Sequence, residues 1–283
     1  MKKLLYIFTF CAVTACNRDR DNSPVPAPSF EMAEKQQAPF GTAGVDVKLR
    51  KVLYNNRLVS EFEYSGDYLS QEKKYVTFAT PALWATRSFT RDGGLPISSH
   101  LISAYVSGEG GFVSKDFNPS HHVTFNSIAN DSVRTLTEDH LTSSETYIRD
   151  FTFDKAGYAI RETQTRKGQK SPEYAFFYLR DSKHNIAEVW QASRDTPNKV
   201  GTTRYEYDNH PNPFFKLGVD WQDQISVHVL SPNNIVREIR VNEDGTEIHT
   251  NYTYEYNAAG YPKKVTVQTE LPDYDPHTLD FIY

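Results

Sequence analysis

The sequence has almost no cysteine. Only Cys11 and Cys16 occur among its 283 residues, and both lie near the N-terminus. From residue 17 onward the chain therefore excludes disulfide bonds, zinc sites built on thiolates and a cysteine nucleophile. Methionine is equally scarce, with only Met1 and Met32. Aromatic residues are abundant instead, with 18 Tyr and 17 Phe, and this bias is typical of β-strands.

An excess of positive charge is also lacking. Lys and Arg number 31 against 36 Asp and Glu, which gives a net charge of −5. Removal of residues 1–15, with Lys2 and Lys3, would make it −7. The charges are interspersed, so the chain has no basic patch for nucleic acid or for anionic lipid headgroups. We therefore expect no nucleic-acid partner.

The N-terminal apolar run, residues 4–13, is too short to span a bilayer as a helix. It follows two lysines, as in a secretory signal peptide. It ends in Val13-Thr-Ala-Cys16, which resembles the lipobox of bacterial lipoproteins, where the signal is cut before the cysteine and its thiol is acylated. The resemblance implies that Cys16 is the lipidation site, with the membrane as a partner through the lipid anchor. It also implies an outer membrane lipoprotein, on the periplasmic side or at the cell surface.

The segment after Cys16 is predicted to be a tether. Residues 17–23 are all polar, and three prolines alternate with small residues between positions 24 and 28. Such a segment buries too little apolar surface to order itself, and its prolines make it an extended spacer. We predict a signal peptide at 1–15, a lipidated cysteine and flexible tether at 16–43, and a single all-β domain at 44–283.

The first part of that domain predicts a hairpin. Residues 47–53 and 58–64 are strand-like, and the turn between them is rich in residues that tolerate positive φ. Asn55 and Asn56 are suited to the two central positions of a type I′ turn. Charges at both parities of the first strand argue against a membrane-spanning barrel, because lipid-facing charge is costly.

Strand–turn–strand patterning continues to the C-terminus, at one strand per ten or twelve residues, for about 18–22 strands. A flat sheet of that size would leave long edges, so curling or layering is expected. The fold class we predict is all-β, an antiparallel meander of many hairpins, strongly curved or barrel-like, with no helix longer than about three turns. Residues 81–119, with several glycines, are the least regular; long loops or a short helix near 81–85 are alternatives there.

An aromatic repeat predicts the core. Residues 151–158 and 254–261 share the pattern aromatic-x-aromatic-Asp/Asn-x-Ala-Gly-Tyr. Alternate residues of a strand share a face, so each pair of rings lies side by side. Gly157 and Gly260 are predicted to have positive φ in equivalent hairpin turns. We expect one structural face to contain three ring pairs, Phe151/Phe153, Tyr205/Tyr207 and Tyr254/Tyr256.

Three segments, residues 205–214, 230–239 and 252–265, carry a family resemblance. They resemble a group of Bacteroidetes cell-envelope lipoproteins of unknown function with a porin-like β-fold, and the hairpins are similar to tyrosine-aspartate repeats. The resemblance is best over residues 145–283. It implies an architecture and a location, and it provides no catalytic residues.

The polar motifs do not form a recognisable active site. His121 and His122 are adjacent, so in a strand they face opposite ways and cannot share a metal by themselves. Asp139-His140, near Ser143 and Ser144, lacks the nucleophile elbow and the spatial arrangement of a catalytic triad. We therefore predict no catalytic residue, metal site or cofactor, and a protein that is not an enzyme.

The three tryptophans are the better indication of a ligand. Trp190 is interpreted as core-facing, whereas Trp221 stands among amides and carboxylates that suit a sugar face. Trp221 and Trp84 are the candidate ligand-binding residues. The leading function is a non-enzymatic, lipid-anchored envelope protein with a binding or assembly role, for which the partner is a glycan or an envelope protein. The alternative is a glycan-binding lipoprotein of a nutrient-uptake system.

Overall fold

The computed structural model describes residues 47–77, 81–92, 95–107, 112–127, 133–141, 143–193, 200–215, 227–242, 244–272 and 274–283. These residues form one closed antiparallel barrel of sixteen strands, with a single four-residue helix among them. The predicted all-β antiparallel meander is confirmed. None of the helical structure in the described ranges is long and apolar enough to cross a bilayer. Cys16 and Trp221 lie outside the described residues.

The elements are β1 Lys51–Tyr54, β2 Arg57–Ser65, β3 Tyr68–Val76, β4 Ala82–Asp92, β5 Leu95–Ser107, β6 Phe112–Ser127, β7 Val133–His140, β8 Glu145–Phe153, β9 Ala159–Arg166, β10 Tyr174–Arg180, β11 Ile186–Ser193, β12 Val200–Pro211, α1 Val227–Leu230, β13 Asn233–Val241, β14 Glu247–Tyr256, β15 Pro262–Thr269 and β16 His277–Ile282.

The strand count is lower than the 18–22 expected, because the region expected to be least regular contains the longest strands. β5 has 13 residues and β6 has 16. Where a short helix near residues 81–85 was an alternative, the chain enters β4. The glycines at 93–94 and within 108–111 stand between consecutive strands in the sequence, whereas Asn118-Pro119 lies inside β6 against its turn propensity.

Every strand pairs with its neighbours in sequence, and β1 closes the barrel against β16 with Val52 opposite Phe281. Closure leaves no exposed strand edge. The connections after odd-numbered strands lie at one end, which we call the upper end. The connections after even-numbered strands lie at the other, the lower end, together with residues 47 and 283.

The predicted repeat turns are confirmed at the lower end. Gly157 and Gly260 have φ of 83° and 82°. In each turn an Asx residue opens the loop, because the Oδ1 of Asp154 or Asn257 accepts two backbone N–H groups at 2.8–3.0 Å. The turns therefore combine an Asx cap with a left-handed residue, as the G1-bulge prediction requires.

Two further turns show which local signals determine the hairpins. Asn55 and Asn56 have φ of 47° and 61°, so the type I′ prediction is confirmed. Between β10 and β11, Asp181 opens the same Asx turn, but His184 occupies the left-handed position with φ of 66°. This copy of the turn has no glycine, which explains why the sequence pattern missed it.

Gly260→Val is expected to destabilise the protein by about 1–3 kcal/mol, because valine is strained at positive φ. A Cβ at this position meets His210 Nδ1 at 3.5 Å, an ordinary contact, so backbone strain is the main cost. Ala258→Val in the same turn, outside the left-handed region, is the control and is expected to cost far less. Urea unfolding measures both, and equal losses would contradict the role of the turn conformation.

The buried side chains line the barrel lumen. Phe151, Phe153, Tyr205, Tyr207 and Tyr254 all belong to or pack against one core cluster, as predicted for the ring pairs. Tyr256 follows a β-bulge and lies at the margin, where its ring stacks on His210 at 3.8 Å. The intervening Glu206 and Glu255 are exposed. The aromatic face is therefore the inner face.

Candidate functional site

Two short segments of the chain enter the lower part of the lumen and pack there against the core cluster. Residues 212–215 and 227–232, which we call the lower plug, enter the lumen between β12 and β13. Val227 and Leu230 of α1 are buried in a core cluster that also contains Phe62 of β2 and Tyr178 of β10, strands on opposite sides of the barrel. A small cavity of about 40 Å³ remains beside Phe214. A barrel of sixteen strands is wide enough for an aqueous channel, so this filling decides its character.

Hydrogen bonds fix the lower plug to the barrel. Within the plug, two bonds join its segments: Asn212 Nδ2 donates to the Ser231 carbonyl at 2.8 Å, and the Asn212 N–H donates to the Pro232 carbonyl at 2.8 Å. The Ser231 Oγ accepts the Ile186 N–H at 3.1 Å. Arg180 Nη1 donates to the Leu230 carbonyl at 3.0 Å, and burial lowers the pKa of this guanidinium to about 10. The plug is therefore part of the fold.

An asparagine network continues this attachment. Asn185 and Asn233 bond each other through two hydrogen bonds of 3.0 and 3.1 Å. Asn234 Nδ2 donates to Asp208 at 3.2 Å, and the Tyr256 hydroxyl donates to the same carboxylate. The Pro-Asn-Asn segment that leads into β13 has no role that its sequence pattern predicts. Its only signal was two amides in succession where a strand begins.

A buried ion pair lies across the inner wall of β8 and β9. Arg149 Nε donates to Glu162 Oε1 at 2.6 Å, and the Tyr178 hydroxyl donates to Glu162 Oε2 at 3.1 Å. The side chains of Arg149 and Glu162 are 6% and 1% exposed. Burial, together with the nearby Glu162 charge, raises the pKa of Tyr178 well above its ordinary value. These groups are neutralised by one another, as buried charges must be.

The lumen opens to solvent towards the upper end. Next to the ion pair, towards the upper end, the Tyr147 hydroxyl donates to Glu145 Oε2 at 2.9 Å. The Arg166 guanidinium pairs with the Glu145 carboxylate at 3.0 Å. The side chains of Arg166 and Glu145 are 44% and 36% exposed, against the few per cent of Arg149 below them. Burial and the Glu145 hydrogen bond raise the pKa of Tyr147. We call this polar, solvent-facing part of the inner wall at the upper ends of β8 and β9 the upper cup.

The histidine pair is divided between two faces, as its adjacency predicts. His121 contacts His140 edge to face at 4.3 Å, whereas His122 stacks on His100 at 4.2 Å. Within the described ranges no three His, Cys, Asp or Glu residues are placed to hold a metal ion. Asp139 accepts a hydrogen bond from the Thr146 hydroxyl at 2.7 Å.

The interpretation of Trp190 as core-facing is wrong. Val189, the residue before Trp190 in β11, packs against the core cluster. Consecutive residues of a strand point to opposite faces, so Trp190 points away from the core. Trp190 shares its face with Glu188, so the indole lies on the outer wall. Trp84 of β4 is half-buried beside the fully buried Ala85, on the opposite parity.

Trp190 belongs to a row of stacked groups on the outer wall. Its ring lies 3.8 Å from that of Phe177 with only 7° between their planes. The Arg161 guanidinium lies over the other side of Phe177 at 5.4 Å. The strand register places Arg161, Phe177, Trp190 and Thr202 side by side on four neighbouring strands. We call these four residues the outer aromatic row.

Small and charged residues surround the outer aromatic row. Ala175 and Ala192 are paired on its upper side. On its lower side Leu179, which is 61% exposed, is followed across the strands by Glu188 and Arg204. The row is thus the centre of an apolar patch with a polar rim.

Elsewhere the outer wall carries ion pairs as well as exposed apolar residues such as Ile102, Tyr105 and Ile282. Lys51 pairs with Glu61 at 2.9 Å and Arg237 with Glu206 at 3.7 Å, both with exposed side chains. On the lipid-facing wall of a membrane barrel, a Lys or Arg at the bilayer midplane costs about 2–4 kcal/mol. The outer wall is therefore suited to water.

No family model matches the chain, and no curated protein matches it. Among solved structures, it is similar to a porin-like protein from Bacteroides uniformis at 14% identity, with 86% of this chain and 99% of that chain covered and a TM-score of 0.42. A porin-like protein from Bacteroides vulgatus is similar at 10% identity, with coverages of 84% and 99% and a TM-score of 0.39.

Proposed function

We propose that the protein is a lipid-anchored, non-enzymatic binding protein of the bacterial cell envelope, located at the outer membrane, whose barrel is a scaffold and not a channel. The observation that carries the proposal is a closed barrel filled at its lower end by its own chain, with an outer wall of exposed ion pairs. This combination supports neither passage of solutes through the lumen nor burial of the wall in lipid.

A barrel of this kind needs a separate membrane anchor. The sequence offers one in Cys16, followed by the proline-containing tether. Residue 47, where the described chain begins, lies at the lower end, so the tether joins the plugged end of the barrel. The upper cup and the outer wall then provide the surfaces for a ligand.

The polar side chains support a role without catalysis. Arg149, Glu162 and Tyr178 are engaged with one another in the buried interior. Asp139 and His140 lie on opposite faces of β7 and pair with different partners, Thr146 and His121. Neither set aims an activated nucleophile at a site that a substrate can reach.

Cys16→Ser is expected to abolish acyl labelling and to move the protein from the detergent phase to the aqueous phase in detergent phase separation. The thiol is the acceptor of the acyl chain, and the outer wall offers no alternative means of insertion. Cys11→Ser is the matched control and should leave labelling intact. Unchanged partitioning of Cys16→Ser would refute the lipid anchor.

The scaffold role has its own test. The purified protein, added to planar bilayers, is expected to give no stable single-channel conductance, because the lower plug blocks the lumen. Reproducible conductance from the wild-type protein would contradict the proposal.

The alternative, a glycan-binding lipoprotein of a nutrient-uptake system, is favoured by the outer aromatic row. It places a half-buried indole, stacked on Phe177, on the outer wall beside the ion pair of Arg204 with Glu247.

A further inference from the structure

We propose that the outer wall of β9–β12 carries a binding slot for a pyranose ring of a neutral glycan, with the Trp190 indole as its wall and Thr202 as its floor. This inference rests on the binding role proposed above and names its ligand class and residues. The slot lies apart from Trp84, which is on β4.

The position of Trp190 is not explained by burial. Its strand neighbour Val189 and the neighbour of Phe177, Phe176, pack into the core cluster, whereas the two stacked rings face outward. Nothing of the inner core rests on them. A large aromatic pair on a solvent-facing wall is the composition expected of a binding surface.

One face of the indole is covered by a stacked ring, and the side chain as a whole is half-buried. Phe177 occupies one face at 3.8 Å, and Arg161 supports Phe177 in turn. On the other side of Trp190 the register places Thr202, a side chain too short to cover an indole. A slot about one ring deep is left over Thr202. The stacked partners hold the indole in place, so little side-chain entropy is lost when a ligand binds.

The chemistry of this slot matches a pyranose. The axial C–H groups of the sugar carry partial positive charge and stack on the negative face of an aromatic ring. Beside the slot stand Glu188 and Arg204, paired across β11 and β12, and Glu247, which bonds Arg204. The side chains of Arg204 and Glu247 are 46% and 39% exposed. A planar guanidinium and carboxylates are donors and acceptors suited to neighbouring hydroxyl groups.

The charge of the rim selects among glycans. Arg161 and Arg204 are balanced by Glu188 and Glu247, so the slot has no net charge to attract an acidic polysaccharide. The hydroxyl-rich, uncharged face of a neutral glycan is therefore the ligand class that fits.

The test uses the full-length chain in detergent, run in native gels that contain soluble neutral polysaccharides such as β-glucan, xyloglucan and galactomannan. We expect at least one of them to retard the wild-type protein, and Trp190→Ala to weaken the apparent affinity at least 10-fold. Thr202→Phe fills the slot without removing a wall contact and should weaken it similarly. Tyr105→Ala, which removes an exposed aromatic ring on β5 far from this slot, is the control and should bind like the wild type.

The outcomes separate this inference from the proposed function. If the wild type binds but Trp190→Ala and Thr202→Phe bind equally well, the slot is wrong. If no neutral polysaccharide retards the wild type, the ligand class is wrong. In either case the acyl labelling of Cys16 still decides the lipid-anchored role by itself. Circular dichroism confirms that each variant is folded, and Thr202→Phe keeps the test decisive should Trp190→Ala unfold.

Discussion

Glu162→Ala is expected to destabilise the barrel by about 3–5 kcal/mol, the loss typical of breaking a buried ion pair from one side. The carboxylate accepts hydrogen bonds from Arg149 at 2.6 Å and from Tyr178 at 3.1 Å, at a position almost sealed from water. Glu162→Ala removes this carboxylate from beside the Arg149 guanidinium, which is itself buried. Urea unfolding, followed by tyrosine and tryptophan fluorescence, measures the loss.

The matched control is an ion pair on the outer wall. Glu247→Ala removes the partner of Arg204, but both side chains are substantially exposed, so the expected loss is below about 1 kcal/mol. The neutral isostere Glu162→Gln still offers an acceptor to Tyr178 and should fall between the wild type and Glu162→Ala. Equal losses for Glu162→Ala and Glu247→Ala would show that the inner pair is solvated and that the lumen is open at this level.

Tyr254→Ala is expected to cost about 3 kcal/mol, in the range of large-to-small substitutions of buried aromatic residues. The ring packs against the core cluster beside the lower plug, and its hydroxyl donates to the Ile235 carbonyl at 3.0 Å. Burial raises the pKa of this hydroxyl, so it stays protonated as a donor. For a protein of this size the loss lowers the melting temperature by about 6–12 °C.

The neighbouring position provides the control. Glu255 is exposed on the outer wall, so Glu255→Ala should cost less than about 0.5 kcal/mol. Thermal melts followed by far-ultraviolet circular dichroism compare the two variants. If Glu255→Ala were the more damaging change, the inner and outer faces would be inverted.

Local chemistry made much of the fold predictable. The left-handed glycines at 157 and 260 and the Asn55-Asn56 turn were read from residues that tolerate positive φ, because such turns depend on a few neighbouring atoms. The inward direction of Phe151 and Tyr254 followed from strand parity alone. These features need no knowledge of distant residues.

The sequence pattern does not predict which distant strands pair with each other. The closure of β1 on β16 joins residues more than two hundred positions apart, and no local signal distinguishes a closed barrel from an open curved sheet. The lower plug could not be predicted for the same reason. A segment of loop-like composition becomes a plug only when distant strands have formed a barrel around it. The sequence pattern gives no sign of the Arg149–Glu162 ion pair, because the two residues meet only when β8 and β9 are paired.

Trp190 shows how a site can be misread from composition. An indole in an apolar stretch favours burial on average, which is why it was interpreted as core. Its shared parity with Glu188 was the contrary signal, and it was present in the sequence. The physical lesson is that parity with a charged neighbour outweighs the hydrophobicity of a single side chain when a strand has one wet face.

The pairing of the first strand with the last has a consequence for how the chain folds. β1 is the first strand along the chain, and its second edge stays unpaired until β16, the last strand, has formed. Until then the growing sheet exposes two strand edges, the kind of surface on which chains aggregate. The closing contact is also the most distant in sequence, which makes it slow. Folding of this barrel is therefore expected to be limited by the late meeting of its two ends, and the unfolded chain is expected to need protection by a chaperone until that seam has formed.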